Sequence, residues 1–393
     1  MAGDEAIPAE IASLISFARN DICSGEKIMQ KRIFIAATRQ NDGKTTVSLG
    51  LIRAFKKRFK SVGFIKPVGQ RYVFEHGYKV DEDSVLIEKV CGMKGSIKDM
   101  SPVAIDKGFT ENYIKRGDHR KLVDSIISSF DRIAKRKDLV VIEGTGHAGV
   151  GSIFDLSNAR VANLLDAKVI LVTAGGIGKP MDEIELNMAL FEKEGVDVIG
   201  VIINKVLASK YKKVKGMLNL GLKRKGIEVL GVIPYAQKLS EPTIQNIVEE
   251  TEMKLISKKI GFSNVVRNIF IGAMEPHDAL DFIETDSLLI TPGDREDIIM
   301  TVLAAHLLKK PKRKISIAGI ILTGNIIPHE KIMRLIEGAD IPVLLSKEHT
   351  YKAASEIHDL AIKIGPQDKE KTSIAESLIK NYVDVGRILG KLK

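Results

Sequence analysis

Apolar and polar positions along this chain are grouped in blocks rather than alternating residue by residue. Short β-branched runs stand at Ile33–Ala37, Val62–Ile65, Leu139–Ile142, Val169–Val172, Val198–Ile203 and Val229–Ile233, and helix-like segments lie between them. Most of these runs lack period-two alternation, as strands buried on both faces do, so the pattern predicts a parallel sheet covered by helices on both sides. Ligands of such sheets sit beyond the carboxyl ends of the strands.

After Ile233–Pro234 the pattern turns polar and mainly helical from Gln237 to Lys259, which reads as a linker with its own helix. A second series follows, with strands expected at Ile269–Ile271, Ser287–Ile290, Ile317–Leu322 and Ile341–Leu345, and helices at Glu296–Leu308 and Glu330–Glu337. The expected organisation is an N-terminal extension (1–30), a phosphate-loop α/β domain (31–238), a linker (239–262), a smaller α/β domain (263–368) and a C-terminal helix (369–393). In that last segment Ile374, Leu378, Tyr382 and Val385 recur at helical spacing, which predicts a helix packed on the second domain or on a partner.

The chemistry-bearing residues fall at the ends of the expected strands. Ile33–Ala37 runs into Thr38–Arg39–Gln40–Asn41–Asp42–Gly43–Lys44–Thr45–Thr46, with Val47, Leu51 and Phe55 on one helical face beyond it. A strand, a polar loop ending in Gly-Lys-Thr and a helix form a phosphate cradle. Gly43 lets the backbone wrap the phosphates, Lys44 supplies a point charge, and the Thr45 hydroxyl is a magnesium ligand. Lys66 follows a strand and is fixed there by Pro67, where a cation serves a γ-phosphate or a carboxylate, with a surface lysine at a strand end as the plain alternative. Glu143 ends a strand ahead of Gly144–Thr145–Gly146, and Asp83 opens a helical segment; both are candidate magnesium ligands, with a helix cap as the plain alternative for Asp83. Asn204 ends a strand and could meet a purine edge or cap that strand. His147 is expected to cap the glycine-rich turn after Glu143, with contact to a substrate as the alternative.

Composition narrows the classes. The net charge of +10 invites a nucleic-acid reading, but the basic clusters Lys56–Lys57–Arg58, Lys223–Arg224–Lys225 and Lys309–Lys310 end apolar segments and are not interleaved with aromatics, so nucleic acid is not the expected partner. No apolar run approaches the roughly 18 residues of a membrane span. The first residues carry Asp4, Glu5 and Glu10 and do not form a secretory leader, and Cys23 and Cys91 suggest neither a disulfide framework nor a thiolate metal site. The expected compartment is the cytoplasm.

The order of Phe34–Ala37 with Gly43–Lys44–Thr45, then Lys66–Pro67–Val68, Asp83, Ile142–Glu143–Gly144 and Asn204 resembles dethiobiotin synthetase and the related N-terminal domain of long phosphotransacetylases, over about residues 31–238. The resemblance implies an ATP- and Mg2+-binding P-loop NTPase-type domain. It assigns Lys44, Thr45 and Asn204 to the nucleotide, Asp83 and Glu143 to the metal beside Thr45, and Lys66 to the carbamate and phosphate; Asn41, Asp42, Gly43 and Thr46 join the expected nucleotide-binding set as the rest of the cradle, although Arg39–Gln40–Asn41–Asp42 differs from the synthetase's acidic loop. Ile290–Thr291–Pro292–Gly293–Asp294–Arg295 is similar to the signature of the DRTGG domain, although Glu296–Asp297–Ile298 stands where Thr-Gly-Gly gave that name. Thr145–Gly146–His147–Ala148 replaces the synthetase's Ala-Gly-Gly, so substrate identity does not carry over. The sequence ends without the acetyl-transfer domain of phosphotransacetylases, so acetyl phosphate is not an expected product.

Arg39 lies five residues before Lys44, where related deviant phosphate-loop ATPases carry a second lysine that reaches a nucleotide across a dimer. The same part is expected of Arg39 as a catalytic residue beside Lys44 and Lys66, with a solvated loop arginine as the alternative. The resemblance implies a homodimer. Two functions follow as expectations: ATP-dependent, ligase-like phosphoryl transfer to an unidentified small carboxylate under a DRTGG sensory domain, or a nucleotide-dependent switch with slow hydrolysis that acts through dimerisation or a protein partner.

Overall fold

The computed structural model describes residues 30–258, 260–308, 315–360 and 362–392; the N-terminal extension lies outside the described residues apart from Gln30. Six strands form the first sheet: β1 (Lys31–Ala37), β2 (Val62–Ile65), β3 (Leu139–Glu143), β4 (Lys168–Ala174), β5 (Val198–Val206) and β6 (Val229–Pro234). Every pairing is parallel, in the order β6-β5-β4-β1-β3-β2. From β1 the chain passes first to one side of the sheet and later to the other. The resulting crevice lies at the carboxyl end of β1, beside the equivalent ends of β3 and β4. Ile33, Phe34, Ile35, Ala36 and Ala37 are all fully buried, which is why this strand reads as an unbroken apolar run.

Helix α1 (Lys44–Lys56) leaves β1, α2 (Glu82–Cys91) precedes β3, and α3 (Gly178–Lys193) follows β4. Between β2 and α2 the chain makes a short hairpin, Tyr72–Glu75 against Tyr78–Asp81, that carries Asp81 back toward Lys66. Nothing in the periodicity announced this excursion.

The stretch read as a linker is largely built into the second unit. Helix α4 (Ile244–Glu250) buries Ile244 and Ile247 in that unit's core, and β7 (Lys254–Leu255) pairs antiparallel with Leu344–Leu345. The second sheet runs β7, β11 (Val343–Leu345), β10 (Ile317–Thr323), β9 (Ser287–Pro292), β8 (Asn268–Ile271). Successive residues face opposite sides. Leu289 and Ile320 pack under α5 (Glu296–Leu307), while Leu288 and Ile321 join the cluster containing α4 and α6 (Thr350–His358).

The C-terminal segment departs from expectation. It forms two helices, α7 (Lys369–Tyr382) and α8 (Val385–Lys391), and they pack on the first unit rather than the second. The cause is a flat spot on α1. A Cβ on Gly50 would lie 2.2 Å from Ile379 Cγ1 and 2.9 Å from the Ala375 carbonyl oxygen, so only glycine admits α7 this closely. Val383 then bridges to Gly231 of β6, and the Asp384 amide donates to the Leu230 carbonyl at 2.9 Å. Among the described residues no helix is long and apolar enough to cross a membrane.

Candidate functional site

The loop between β1 and α1 is held from beneath by its own side chains. Thr38 Oγ1 donates to Asp42 Oδ2 at 2.7 Å, and the Arg39 amide donates to the same oxygen at 2.9 Å. Burial lifts the Asp42 pKa above its usual value, against these two hydrogen bonds. Asn41 (φ 65°) and Gly43 (φ 96°) take left-handed backbone, which turns the chain into α1. Gly43 caps α1 without a side-chain hydrogen bond, so the first-turn amides face the crevice with their partial positive charge. Asn204, at the end of β5, donates through Nδ2 to the Asp42 carbonyl at 2.9 Å, and a Cβ on Gly43 would meet that nitrogen at 2.2 Å. The loop therefore closes only around glycine.

Lys44 is 9% exposed and its Nζ donates to the Gly146 carbonyl at 3.2 Å. Burial, reinforced by Lys66 and opposed by Glu143, brings its pKa down to about 8. Thr45 Oγ1 donates to Glu143 Oε1 at 3.0 Å, while Glu143 Oε2 is buried and has no hydrogen-bond partner. Burial, with Asp83 nearby, raises the Glu143 pKa even though Lys66 counters it.

Lys66 is not a surface lysine. It is 5% exposed, and its ammonium pairs with Asp81 at 2.8 Å, with Asp83 in a very close contact, and with Glu143 at 3.8 Å. Burial disfavours the Lys66 charge, but Asp83, Asp81 and Glu143 outweigh it and hold the pKa above the usual lysine value. Burial likewise disfavours the Asp83 carboxylate, yet Lys66 and then Lys363 hold its pKa below the usual range.

One pocket is lined by Asn41, Gly43, Lys44, Thr45 and Thr46 of the loop, by Lys66, Asp83 and Glu143, and by Asn204. Residues from four strand ends thus meet in one place. Two expected site residues stand apart from its surface. Asp42 braces the loop, and the Arg39 guanidinium lies 2.9 Å from Glu183 of α3 in an ion pair within the same chain. His147 Nδ1 accepts from the Gly149 amide at 3.2 Å and so caps its turn.

Three participants escaped the sequence reading. Asp81, rather than Asp83, caps α2 by accepting from the Asp83 amide at 3.0 Å. Its position two residues before Asp83, at the start of a helical run, was the available signal. Lys205 lines the pocket and its Nζ donates to the Asn41 carbonyl at 2.7 Å; Lys363 arrives from the far side of the second unit with no motif around it. In the second unit Arg295 pairs with Asp297 at 3.0 Å and donates to the Met274 carbonyl at 2.9 Å, bracing the turn after β9.

Fold and loop together define an α/β protein with a P-loop NTPase-type sheet domain followed by a DRTGG domain. Residues 31–243 match the family model AAA_26, described as an AAA domain, and residues 246–360 match the DRTGG domain. The first match takes in more than half of the chain, and the chain belongs to that AAA domain family. Among curated proteins it is similar to the phosphate acetyltransferase of Nitratidesulfovibrio vulgaris, 28% identical over 374 residues, covering 93% of this chain and 52% of that protein. It is also similar to the phosphate acetyltransferase of Synechocystis, 26% identical over 372 residues with the same two coverages. The chain spans about half the length of these relatives. The match bears out the resemblance to phosphotransacetylases. Among solved structures, a plasmid partition protein of Borrelia burgdorferi bound to AMPPNP aligns with a TM-score of 0.37 and 17% identity, covering 53% of this chain and 89% of that one. The MinD cell division protein of Aquifex aeolicus aligns at 0.34 and 16%, covering 53% and 84%.

Proposed function

We propose that the chain binds magnesium and ATP at the carboxyl edge of its first sheet and directs the γ-phosphoryl group toward a small carboxylate. The observation that carries this reading is the convergence of Lys44, Thr45, Lys66, Asp83 and Glu143 on a single pocket. The donor set suits magnesium. Glu143 Oε2 is buried and unpartnered beside the Thr45 hydroxyl, and such sites need only one or two carboxylates together with phosphate oxygens and water. Among the described residues no group of three or more histidine, cysteine or acidic residues forms a metal cage of its own. Thr45 and Glu143 are the ligands the geometry favours, and Asp83 joins them only by giving up an ammonium partner. When bound, magnesium supplies charge neutralisation across the β- and γ-phosphate oxygens.

The chain's own part is positioning and electrostatics. Lys44, the loop that Asn204 braces and the first-turn amides of α1 hold the phosphates, Asn204 itself stands on the base side, and Lys66 faces the acceptor oxyanion from a fixed place at the end of β2. Asp81 keeps Lys66 charged and still.

A nucleotide-dependent switch is the second reading, and a specific contact favours it. Arg71, on the pocket wall, pairs with Glu250 at 2.8 Å, and Glu250 ends the helix that opens the second unit. The deciding experiment is calorimetric ATP binding and steady-state hydrolysis with magnesium, for the full chain and Lys44→Ala, across a panel of small carboxylates, carbamates and diamines. Turnover raised by one compound supports transfer. Tight binding with negligible turnover, together with nucleotide-dependent self-association, supports the switch, and absence of ATP binding overturns both.

A further inference from the structure

Both passages between the two units run along the pocket. The outgoing one contributes Tyr235, Ala236 and Leu239 to its lining. The returning one, after α6 and beyond both family matches, contributes Ile362, Lys363 and Ile364, and α7 adds Leu378. Ile364 and Leu378 are 8% and 9% exposed and belong to the first unit's core, whereas Ile362 is half-buried. The lining thus combines polar groups from Asn41, Asn204 and Lys205 with the apolar side chains of the returning chain. A planar heterocycle, with polar edges and apolar faces, is the ligand chemistry such a slot takes.

The returning chain is also pinned by charge. Lys363 makes a very close ion pair with Glu82 and lies 3.8 Å from Asp83 Oδ1, while Asp83 Oδ2 is held by Lys66. Lys363 is a third exposed where Lys66 is nearly sealed, so of the two ammonium groups on Asp83 it is the one that solvent reaches.

We propose that the segment returning from the DRTGG unit is part of the nucleotide site: Ile362, Ile364 and Leu378 form the apolar wall against the base, and Lys363 latches that wall to Glu82 and Asp83. This rests on the nucleotide reading above and adds to it a route by which the second unit senses occupancy. The wall shifts with the segment, and the segment is continuous with α6 of the second sheet's cover.

The test uses the full chain and two probes, ATP and inorganic tripolyphosphate, which shares the phosphates but has no base. Ile362→Asp should weaken ATP binding tenfold or more while tripolyphosphate stays within twofold and the melting temperature is unchanged. Lys363→Met should weaken ATP about fivefold and speed hydrogen exchange of residues 362–368 in the ligand-free protein, and Lys363→Arg should restore both. Unchanged ATP affinity in Ile362→Asp, or an equal loss for both probes, overturns the wall. If the wild-type chain binds tripolyphosphate as tightly as ATP, the wall falls and the phosphate site stands. If it binds neither, the nucleotide reading itself fails, and the wall with it.

Discussion

Lys66 and Asp81 form a 2.8 Å ion pair in which neither side chain is more than 6% exposed. The pair joins the end of β2 to the cap of α2, and Gly69 makes room for it: a Cβ there would sit 2.5 Å from the Asp81 Cβ. Charges taken out of water this completely depend on their partners, and Asp81 is one of three carboxylates that hold the Lys66 ammonium. Asp81→Ala removes that carboxylate and the α2 cap together and should destabilise the chain by about 1–3 kcal/mol, short of the cost of a fully unpaired buried charge because Asp83 and Glu143 remain. Urea unfolding checks this. A loss below about 1 kcal/mol, the size of a cap alone, would show that Lys66 finds sufficient partners in Asp83 and Glu143.

Lys44 gives nucleotide binding a pH dependence whose sign is fixed by its surroundings. Burial lowers its pKa in the free protein to about 8, and a bound polyphosphate favours the charged form, so binding takes up a proton above that pH. Affinity should be full well below pH 8, be about halved at pH 8 and fall about fivefold more from pH 8 to pH 9, approaching about tenfold per pH unit beyond that until the pKa of the bound form is passed. Lys44→Arg keeps its charge throughout this range and should show weaker binding with a flat profile. A flat wild-type profile together with retained ATP binding in Lys44→Ala would falsify the assignment of Lys44 to the phosphates; a flat profile alone would show that Lys44 keeps an ordinary lysine pKa.

Much of this site was legible along the chain because parallel strands buried on both faces are written as unbroken β-branched runs, and their carboxyl ends are where ligands sit. Lys66 and Glu143 follow such a run directly, and Lys44 and Thr45 follow one across the Thr38–Gly43 loop, so placing the strands placed them. Asp81 was not legible in the same way, since its partner is reached only after the Tyr72–Asp81 hairpin folds back. Lys363 is separated from Asp83 by the whole second unit. The spacing of Ile374 and Leu378 revealed that α7 has a buried face but not which surface covers it; that was decided by Gly50 on a helix far upstream.

Gly43 should tolerate no side chain. Its φ of 96° is left-handed, and the added Cβ would press on Asn204 Nδ2, which already holds the Asp42 carbonyl. Gly43→Ala should lower ATP affinity by tenfold or more, with a stability loss of about 1–3 kcal/mol. Pairing it with Asn204→Ala removes the clash and leaves the backbone strain, so the double variant should recover part of the stability and none of the affinity. Full recovery of binding would mean that Asn204 is a spacer rather than the brace of the loop.

The docking of α7 on α1 is testable through its closest contact. Gly50→Ala gains helix propensity of about 1 kcal/mol, but the new methyl meets Ile379 Cγ1 at 2.2 Å and the Ala375 carbonyl at 2.9 Å. Overpacking of this kind costs about 1–3 kcal/mol, so the net change should be a modest loss of stability. Ile379→Ala alone removes a fully buried side chain and should cost about 2–5 kcal/mol. In the double variant the alanine at position 50 occupies space that Ile379 vacated, and the combined loss should fall short of the sum by 1 kcal/mol or more. Because Leu378 of the same helix lines the pocket, the single Gly50→Ala variant should also weaken ATP binding, whereas the double variant, with its helix seated again, should bind more tightly than Gly50→Ala alone. Strict additivity in the stability cycle would show that α7 does not sit against Gly50 in solution.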